Sequence, residues 1–470
     1  MDHSSDIRTL FAAQAMRTGE RRLRFGLSAR RQALRDLQRA LDGARPALLA
    51  ALQSDMCRPP TETVLLELIP LFQEISHARR HLRSWMRPRR VWPGLSMLGT
   101  SGRVAPQPRG TCLIISPWNY PILLALGPLV SALAAGNSVI LKPSELAPAT
   151  AAALADLLRT TFPADLVAVV EGGHEMSQAL LALPFDHIFF TGGTVVGKVV
   201  MAAAAETLAS VTLELGGKSP AIVGPDADLA AAARSLAWGK FANNGQTCVA
   251  PDNLYVHQAV MAPFATALIE AIDRLFGSGQ AAAGSPDYAR IINDRHFQRM
   301  AGLLEDARAK GATVLTGGQT DPASRFIAPT VLTGLTPDMR LTAEEVFGPL
   351  LPITPYDEIG PVIAAINAGP RPLALYVYGR DRAFADRIVA ETSSGTVGIN
   401  LSVVQFAHPN LPFGGIGASG QGAAHGRTGF QAFSHMRPVL KNRWSLLPLL
   451  FPPYGGRVRA MVAALERLVR

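Results

Sequence analysis

From Gly110 onward the sequence alternates short apolar runs with Ala- and Leu-rich segments of helical spacing, and that period admits few folds. Strands are expected at Thr111–Ser116, Ser138–Leu141, Leu166–Val170, His187–Phe190 and Val211–Leu213. Helices are expected between them, at Ile122–Ala134, Thr150–Thr160, Met176–Leu183 and Val195–Glu206. Strands separated by helices of this length form βαβ units and a mostly parallel sheet, which binds dinucleotides at the carboxyl ends of its strands. A second series follows Gly216. Its strands fall at Ala221–Val223, Asn253–Val256, Thr313–Leu315, Ala374–Val377 and Thr396–Ile399, its helices at Leu229–Phe241 and Met261–Phe276, with a loop over Gly277–Gly284. Ahead of both, residues 20 to 85 read as long helices, with Leu34, Leu37, Leu41, Leu48, Leu49 and Leu52 at helical spacing. The fold class is therefore α/β, with two α/β domains in tandem and the first supplying a cofactor site.

Composition narrows the function classes. A chain of 470 residues is too long for one ordinary core, and 48% hydrophobic against 17% charged residues excludes disorder. The three cysteines, Cys57, Cys112 and Cys248, lack metal-ligand spacing, so no metal is expected and a reducing, cytoplasmic compartment is. The charged first forty residues hold no apolar stretch of signal-peptide length. The longest apolar run, Leu123 to Ala135, is broken by Gly127 and Pro128 and falls short of the roughly 18 residues of a membrane span. The net charge of +9 raises nucleic acid as a partner, but the basic run from Arg79 to Arg90 lacks aromatic interleaving and any groove-reading motif. It reads as a solvated helix face. Past Trp444, the run from Leu446 to Phe451 and then Val458, Met461, Val462, Leu465 and Val469 form an apolar stripe bordered by Arg. Such a helix docks on its own chain or a partner subunit; a membrane-surface contact is the second reading.

Several segments can carry chemistry. Thr191-Gly192-Gly193-Thr194-Val195-Val196-Gly197 follows a strand and opens a helix, whose free N–H groups attract phosphate; a purely structural glycine turn would look the same. Pro117-Trp118-Asn119-Tyr120-Pro121 follows a strand and offers a side-chain amide to a developing oxyanion, or is a proline-braced turn. Lys142 and Glu145 can both address one ribose, or form an ion pair at a helix start. Glu214, in Glu214-Leu215-Gly216-Gly217, stands between the two α/β series, where a surface position is the bland alternative. Cys248 ends a run of small and polar residues after a helix, as a loop thiol would, whereas Cys57 and Cys112 fit better as small buried hydrophobes. A thiolate that attacks a carbonyl, with a nearby carboxylate to activate water, is a complete scheme for covalent aldehyde oxidation.

These motifs, with Glu344-Glu345-Val346-Phe347-Gly348-Pro349, stand in the order found in aldehyde dehydrogenases, and the resemblance runs from about residue 20 to residue 440. The stretch Leu411 to Gly420, followed by His425-Gly426 and Phe433-Ser434-His435, resembles the class 3 branch. The run His81 to Met86 looks most like bacterial coniferyl aldehyde dehydrogenases, although Gly398 to Leu401 and His408 to Asn410 depart from that group.

The resemblance implies an aldehyde dehydrogenase-like fold: a Rossmann-type cofactor domain over residues 1–90 and 105–214, and an α/β catalytic domain over 215–405. A small oligomerisation element over 91–104 and 406–440 and a tail over 441–470 complete it. It implies Cys248 as nucleophile, Glu214 as the base for deacylation, and Asn119 with the Cys248 backbone N–H as oxyanion donors. It implies a cofactor site of Trp118, Lys142, Glu145, the turn Gly192, Gly193, Thr194, Val195 and Gly197, then Leu215, Glu345 and Phe347. Glu145 points to NAD, while Lys142 leaves room for NADP. The implied reaction is thiolate attack, hydride transfer to the nicotinamide and thioester hydrolysis on an aromatic, cinnamyl or medium-to-long aliphatic aldehyde, in a homodimer. A CoA-acylating or inactive member of the same fold is the alternative; Glu214 argues against CoA, because a water-activating base serves hydrolysis.

Overall fold

The computed structural model describes residues 3–94, 97–444 and 447–469. Among these, the first large sheet has six strands, edge to edge Gly420–Gln421, Ser210–Glu214, His187–Thr191, Thr111–Ile115, Ser138–Lys142 and Val167–Val169. Four of its five strand pairings are parallel, and only Gly420–Gln421 is antiparallel to its neighbour. The central strands are buried along their whole length, as their continuous apolar runs require in a sheet covered on both faces. The helices Leu27–Met56, Ile69–Trp85 and Leu123–Ala135 cover one face. The other face packs on Ile7, Leu180, Val200 and Ala204. Strand order reverses between Thr111–Ile115 and His187–Thr191, and a crevice opens at that reversal in such sheets.

The second sheet runs Thr313–Thr316, Thr330–Thr333, Leu350–Tyr356, Asn253–His257, Pro220–Val223, Ala374–Tyr378 and Thr396–Ile399, parallel except at its first strand. A third, antiparallel sheet joins Arg89–Val91, Thr100–Pro108 and Ser434–Asn442, the last two paired over nine residues. Its outer strand Ser434–Asn442 is exposed along most of its length. No described helix is long and apolar enough to cross a membrane.

Several expectations need correction. Helices begin at His3, well before residue 20, and the first, His3–Met16, anchors Phe11 on Phe185 at 5.0 Å between ring centroids. The strands Thr330–Thr333 and Leu350–Tyr356 went unread, and Gly279–Gly284 is a short 3₁₀ helix within the expected loop. Cys57 is not a core residue; it is exposed at the left-handed end (φ 50°) of the helix Leu27–Met56, while Cys112 is buried as expected. The tail helix Gly456–Val469 packs on the turn Leu447–Leu450, and Val462 of its apolar stripe is exposed. Leu446, counted in that stripe, lies outside the described residues.

Candidate active site

The crevice at the strand reversal and the front of the second sheet enclose one cavity. Cys248, Glu214 and Asn119 line it, with Trp118, Gly192, Gly193, Val195, Leu215, Glu345 and Phe347. Lys142, Glu145, Thr194 and Gly197 do not line it. Lys142 ends the neighbouring strand, buried and paired with Glu145. Thr194 donates to the Ala418 carbonyl at 3.1 Å. A methyl group at Gly197 would lie 2.6 Å from Leu215, so this glycine lets Leu215 pack on the helix Thr194–Thr207. Gly193 caps that helix without a side-chain hydrogen bond, so its first N–H groups are left without an intrahelical partner beside the cavity that Gly193 and Val195 line.

Asn119 owes its position to a buried cation that the sequence did not reveal. Arg58 is fully buried, donates to the Asn119 carbonyl at 2.6 Å and to Asn243 Oδ1 at 3.1 Å, and pairs with Glu67. Glu67 in turn accepts from the backbone N–H groups of Ile122 and Leu123 at 2.8 and 2.9 Å. It projects from a π-helical turn, Val64–Leu68, a distortion that often marks a site. The Asn119 side-chain amide donates one hydrogen to the Gln246 carbonyl at 3.0 Å, which leaves its second for a ligand.

The nucleophile turn is equally constrained. Asn243 and Asn244 adopt left-handed backbone (φ 52° and 56°), which asparagine tolerates, and Gly245 follows at φ 73°. A methyl group at Gly245 would meet the Gly348 carbonyl at 2.3 Å. One residue past Cys248, the Val249 carbonyl accepts from the Tyr376 hydroxyl. That hydroxyl also accepts from the Val403 N–H at 3.3 Å and from Gln405 Nε2 at 3.0 Å, fixing Val403 in a left-handed conformation (φ 68°) unusual for a β-branched residue.

Electrostatics separate the acidic groups. Burial alone pushes the Glu214 carboxyl up to about 8; its Oε1 is buried and has no partner. Burial, then the Glu214 and Glu345 charges, pushes the Cys248 thiol up to about 12. Burial also raises Glu345 to about 7, although it accepts the Gly217 N–H at 3.0 Å. Gly216 is needed there, since a methyl group would fall 2.3 Å from the Glu345 carboxylate. Lys218 bonds Asp252 at 2.5 Å and the Glu344 carbonyl at 2.7 Å, and Asp252 accepts the Val346 N–H, so this pair carries the Glu345–Phe347 loop.

His296 and Arg299 also line the cavity and escaped the sequence reading, although three of the first six residues of the helix Asp294–Ala309 are basic. The Trp118 ring lies 5.0 Å from His296 and 5.5 Å from Phe347, forming an aromatic edge. An uncapped helix start, glycines that let a ligand approach and an unpartnered buried carboxylate oxygen fit a dinucleotide with a reacting centre between Glu214 and Cys248. Among the described residues no cluster of His, Cys, Asp and Glu could hold a metal ion.

A profile of the Aldehyde dehydrogenase family matches residues 8–439. The chain is 43% identical over 460 residues to the "Probable coniferyl aldehyde dehydrogenase" of Pseudomonas aeruginosa, covering 97% of this chain and 94% of that protein. It is 42% identical over 428 residues to "Aldehyde dehydrogenase family 3 member A2" of Macaca fascicularis, covering 91% and 86% respectively. The solved "Substrate bound state of Staphylococcus Aureus AldH" is 38% identical and superposes with a TM-score of 0.93, over 98% of this chain and 99% of that one.

Proposed function

The chain belongs to the aldehyde dehydrogenase family, whose coenzyme is NAD(P), and on that premise we propose that it oxidises an aromatic, cinnamyl or medium-to-long aliphatic aldehyde through a covalent thioester on Cys248. The observation that carries this reading is the convergence of Cys248, Glu214 and Asn119 on one cavity. The Cys248 sulfur bonds to the carbonyl carbon as its proton passes to solvent water, and the free Asn119 amide hydrogen and the Cys248 N–H receive the oxyanion. Donors of this kind contribute about 3 kcal/mol each to barrier lowering. Bound NAD(P) supplies the two-electron acceptor for the substrate carbon. Glu214 then takes a proton from water, the water oxygen bonds to the acyl carbon, the C–S bond breaks and the acid leaves. Trp118, Leu215, Phe347 and the Gly192–Gly197 turn hold the coenzyme, Glu345 its nicotinamide ribose, and Lys142 with Glu145 its adenosine ribose.

The same proposal assigns residues 1–90 and 105–214 to coenzyme binding and 215–405 to catalysis. It makes 91–104 and 406–440 the assembly element of a homodimer. The exposed strand Ser434–Asn442 supports the dimer, because an open sheet edge is a template for pairing with another chain. Sedimentation equilibrium is expected to give twice the chain mass; the mass of one chain would remove the dimer. A reducing, cytoplasmic setting suits three free thiols, one of them the nucleophile.

A pH profile tests the role of Glu214. With its carboxyl raised to about 8, the base form is the minor one at neutral pH. The deacylation-limited kcat is therefore expected to climb up to about tenfold per pH unit below 8, then level off. The measurement is steady-state reduced-coenzyme formation between pH 6 and 9.5 on benzaldehyde, cinnamaldehyde and decanal. A kcat that is flat across that range, with hydrolysis limiting, would remove Glu214 from the step.

A further inference from the structure

Three consecutive residues of the loop that brings Glu345 to the cavity are bound by one guanidinium. Arg299, in the helix Asp294–Ala309, donates to the Val346 carbonyl at 2.9 Å and to the Glu345 carbonyl, and pairs with the Glu344 carboxylate at 3.6 Å. The chain just beyond rests on the same helix, since a methyl group at Gly348 would fall 2.2 Å from the Met300 sulfur. The loop needs this hold. Phe347 has a left-handed backbone (φ 50°), which a bulky residue keeps only where its surroundings enforce it. The helix is itself tied to the nucleophile turn. Two residues before Cys248, the Gln246 side chain accepts the Ile292 N–H at 3.0 Å and donates to the Arg290 carbonyl at 3.0 Å. Arg299 therefore sets the Glu345 loop from the frame that also holds Cys248.

The shape of the group matters as much as its charge. A guanidinium is planar and carries five N–H donors, so it can hold two adjacent carbonyls and a carboxylate at once. An ammonium on a flexible stem cannot fix both carbonyls. The charge acts on Glu345 as well. Burial is the chief influence, raising that carboxyl to about 7, and Asp252 adds to the rise; the Gly217 N–H, Arg299 and Lys218 oppose it. Cys248 and Lys240 are the other titratable groups that feel the Glu345 charge.

We infer that Arg299 is a positioning residue for the nicotinamide half of the coenzyme: through the loop carbonyls it fixes the Glu345 carboxylate where the nicotinamide ribose is received. This rests on the role given to Glu345 above. The adenosine half depends on Lys142 and Glu145 and is indifferent to Arg299.

The test is calorimetry of NAD and of ADP on the unmodified protein, Arg299→Gln and Arg299→Lys, with NADP and 2′-phospho-ADP run in parallel. The Arg299 side chain is 31% exposed, so both variants are expected to keep the fold. The dinucleotide is expected to bind about tenfold more weakly to both variants, the scale of two lost hydrogen bonds. The nicotinamide-free half is expected to bind all three proteins alike. A pH series separates charge from shape. Ionised Glu345 accepts the ribose hydroxyls, so dinucleotide affinity in the unmodified protein falls as pH drops through about 7. Removing the Arg299 charge raises that carboxyl further, so in Arg299→Gln the fall sets in at higher pH. Arg299→Lys keeps the original midpoint at its lower affinity. Unchanged dinucleotide affinity in Arg299→Gln, affinity restored in Arg299→Lys, or ADP weakened as much as NAD would overturn the inference while aldehyde oxidation stands. No binding of either dinucleotide by the unmodified protein would overturn both.

Discussion

Replacing Cys248 by alanine is expected to lower kcat/KM for every aldehyde by roughly 10⁴-fold or more, the scale on which covalent nucleophiles act. Because Cys248 is small and only half-buried, the fold should survive the change, and coenzyme affinity should stay near that of the unmodified protein. Glu214→Gln gives the complementary result. It keeps the nucleophile but removes the group that accepts a proton from water. One reduced coenzyme per active subunit should therefore form rapidly, with later turnover slowed by about 10²- to 10⁴-fold. Rapid-mixing absorbance at the reduced-nicotinamide band separates the two variants. Full activity in Cys248→Ala would sink the covalent route, and multiple fast turnovers in Glu214→Gln would move the base elsewhere.

The second large effect is expected far from solvent. Arg58→Met should destabilise the protein by about 3–5 kcal/mol, because removing one member of a buried pair strands the other. Burial already holds the Glu67 carboxyl above its ordinary range, with Arg58 the chief opposing influence. Without the guanidinium, Glu67 keeps only two backbone N–H partners, and the Asn119 and Asn243 oxygens lose a donor. The change is read as a lower urea midpoint. The double variant Arg58→Met with Glu67→Gln should recover part of that loss, because the amide oxygen still accepts the Ile122 and Leu123 N–H groups without a buried charge, yet not the activity, because the donor to the Asn119 carbonyl is still missing. A single variant as stable as the unmodified protein would show that the pair is dispensable.

Local patterns made much of the first sheet readable. Thr111–Ile115 and Ser138–Lys142 are buried on both faces, so their residues form unbroken apolar runs that flanking glycines and prolines punctuate. The strand Leu350–Tyr356 escaped because Pro352 and Pro355 interrupt its pattern, and Thr330–Thr333 because four residues of mixed polarity carry too little period. Asn119 and Cys248 follow a regular element and Glu214 ends one, where a chain can turn a side chain into a crevice, so their positions stood out. Arg58 and Glu67 left no such trace. Their meaning depends on contacts with residues 119, 122, 123 and 243, and a long-range ion pair has no local signature. Cys57 was misjudged for the opposite reason: a thiol resembles a core residue until the helix is known to end there in a left-handed turn.

The hydroxyl of Tyr376 ties together two parts of the chain that evolution or a protein engineer would prefer to change separately. It serves the carbonyl next to the nucleophile and, on its other side, two groups of the segment Val403 to Gln405. Grafting another relative's residues 403–405 onto this scaffold would thus disturb the turn that carries the nucleophile. Variants gathered for new substrates should keep this tyrosine, and the ones that lose it should need compensating changes around Val249. Inheritance at this site runs through a single oxygen atom.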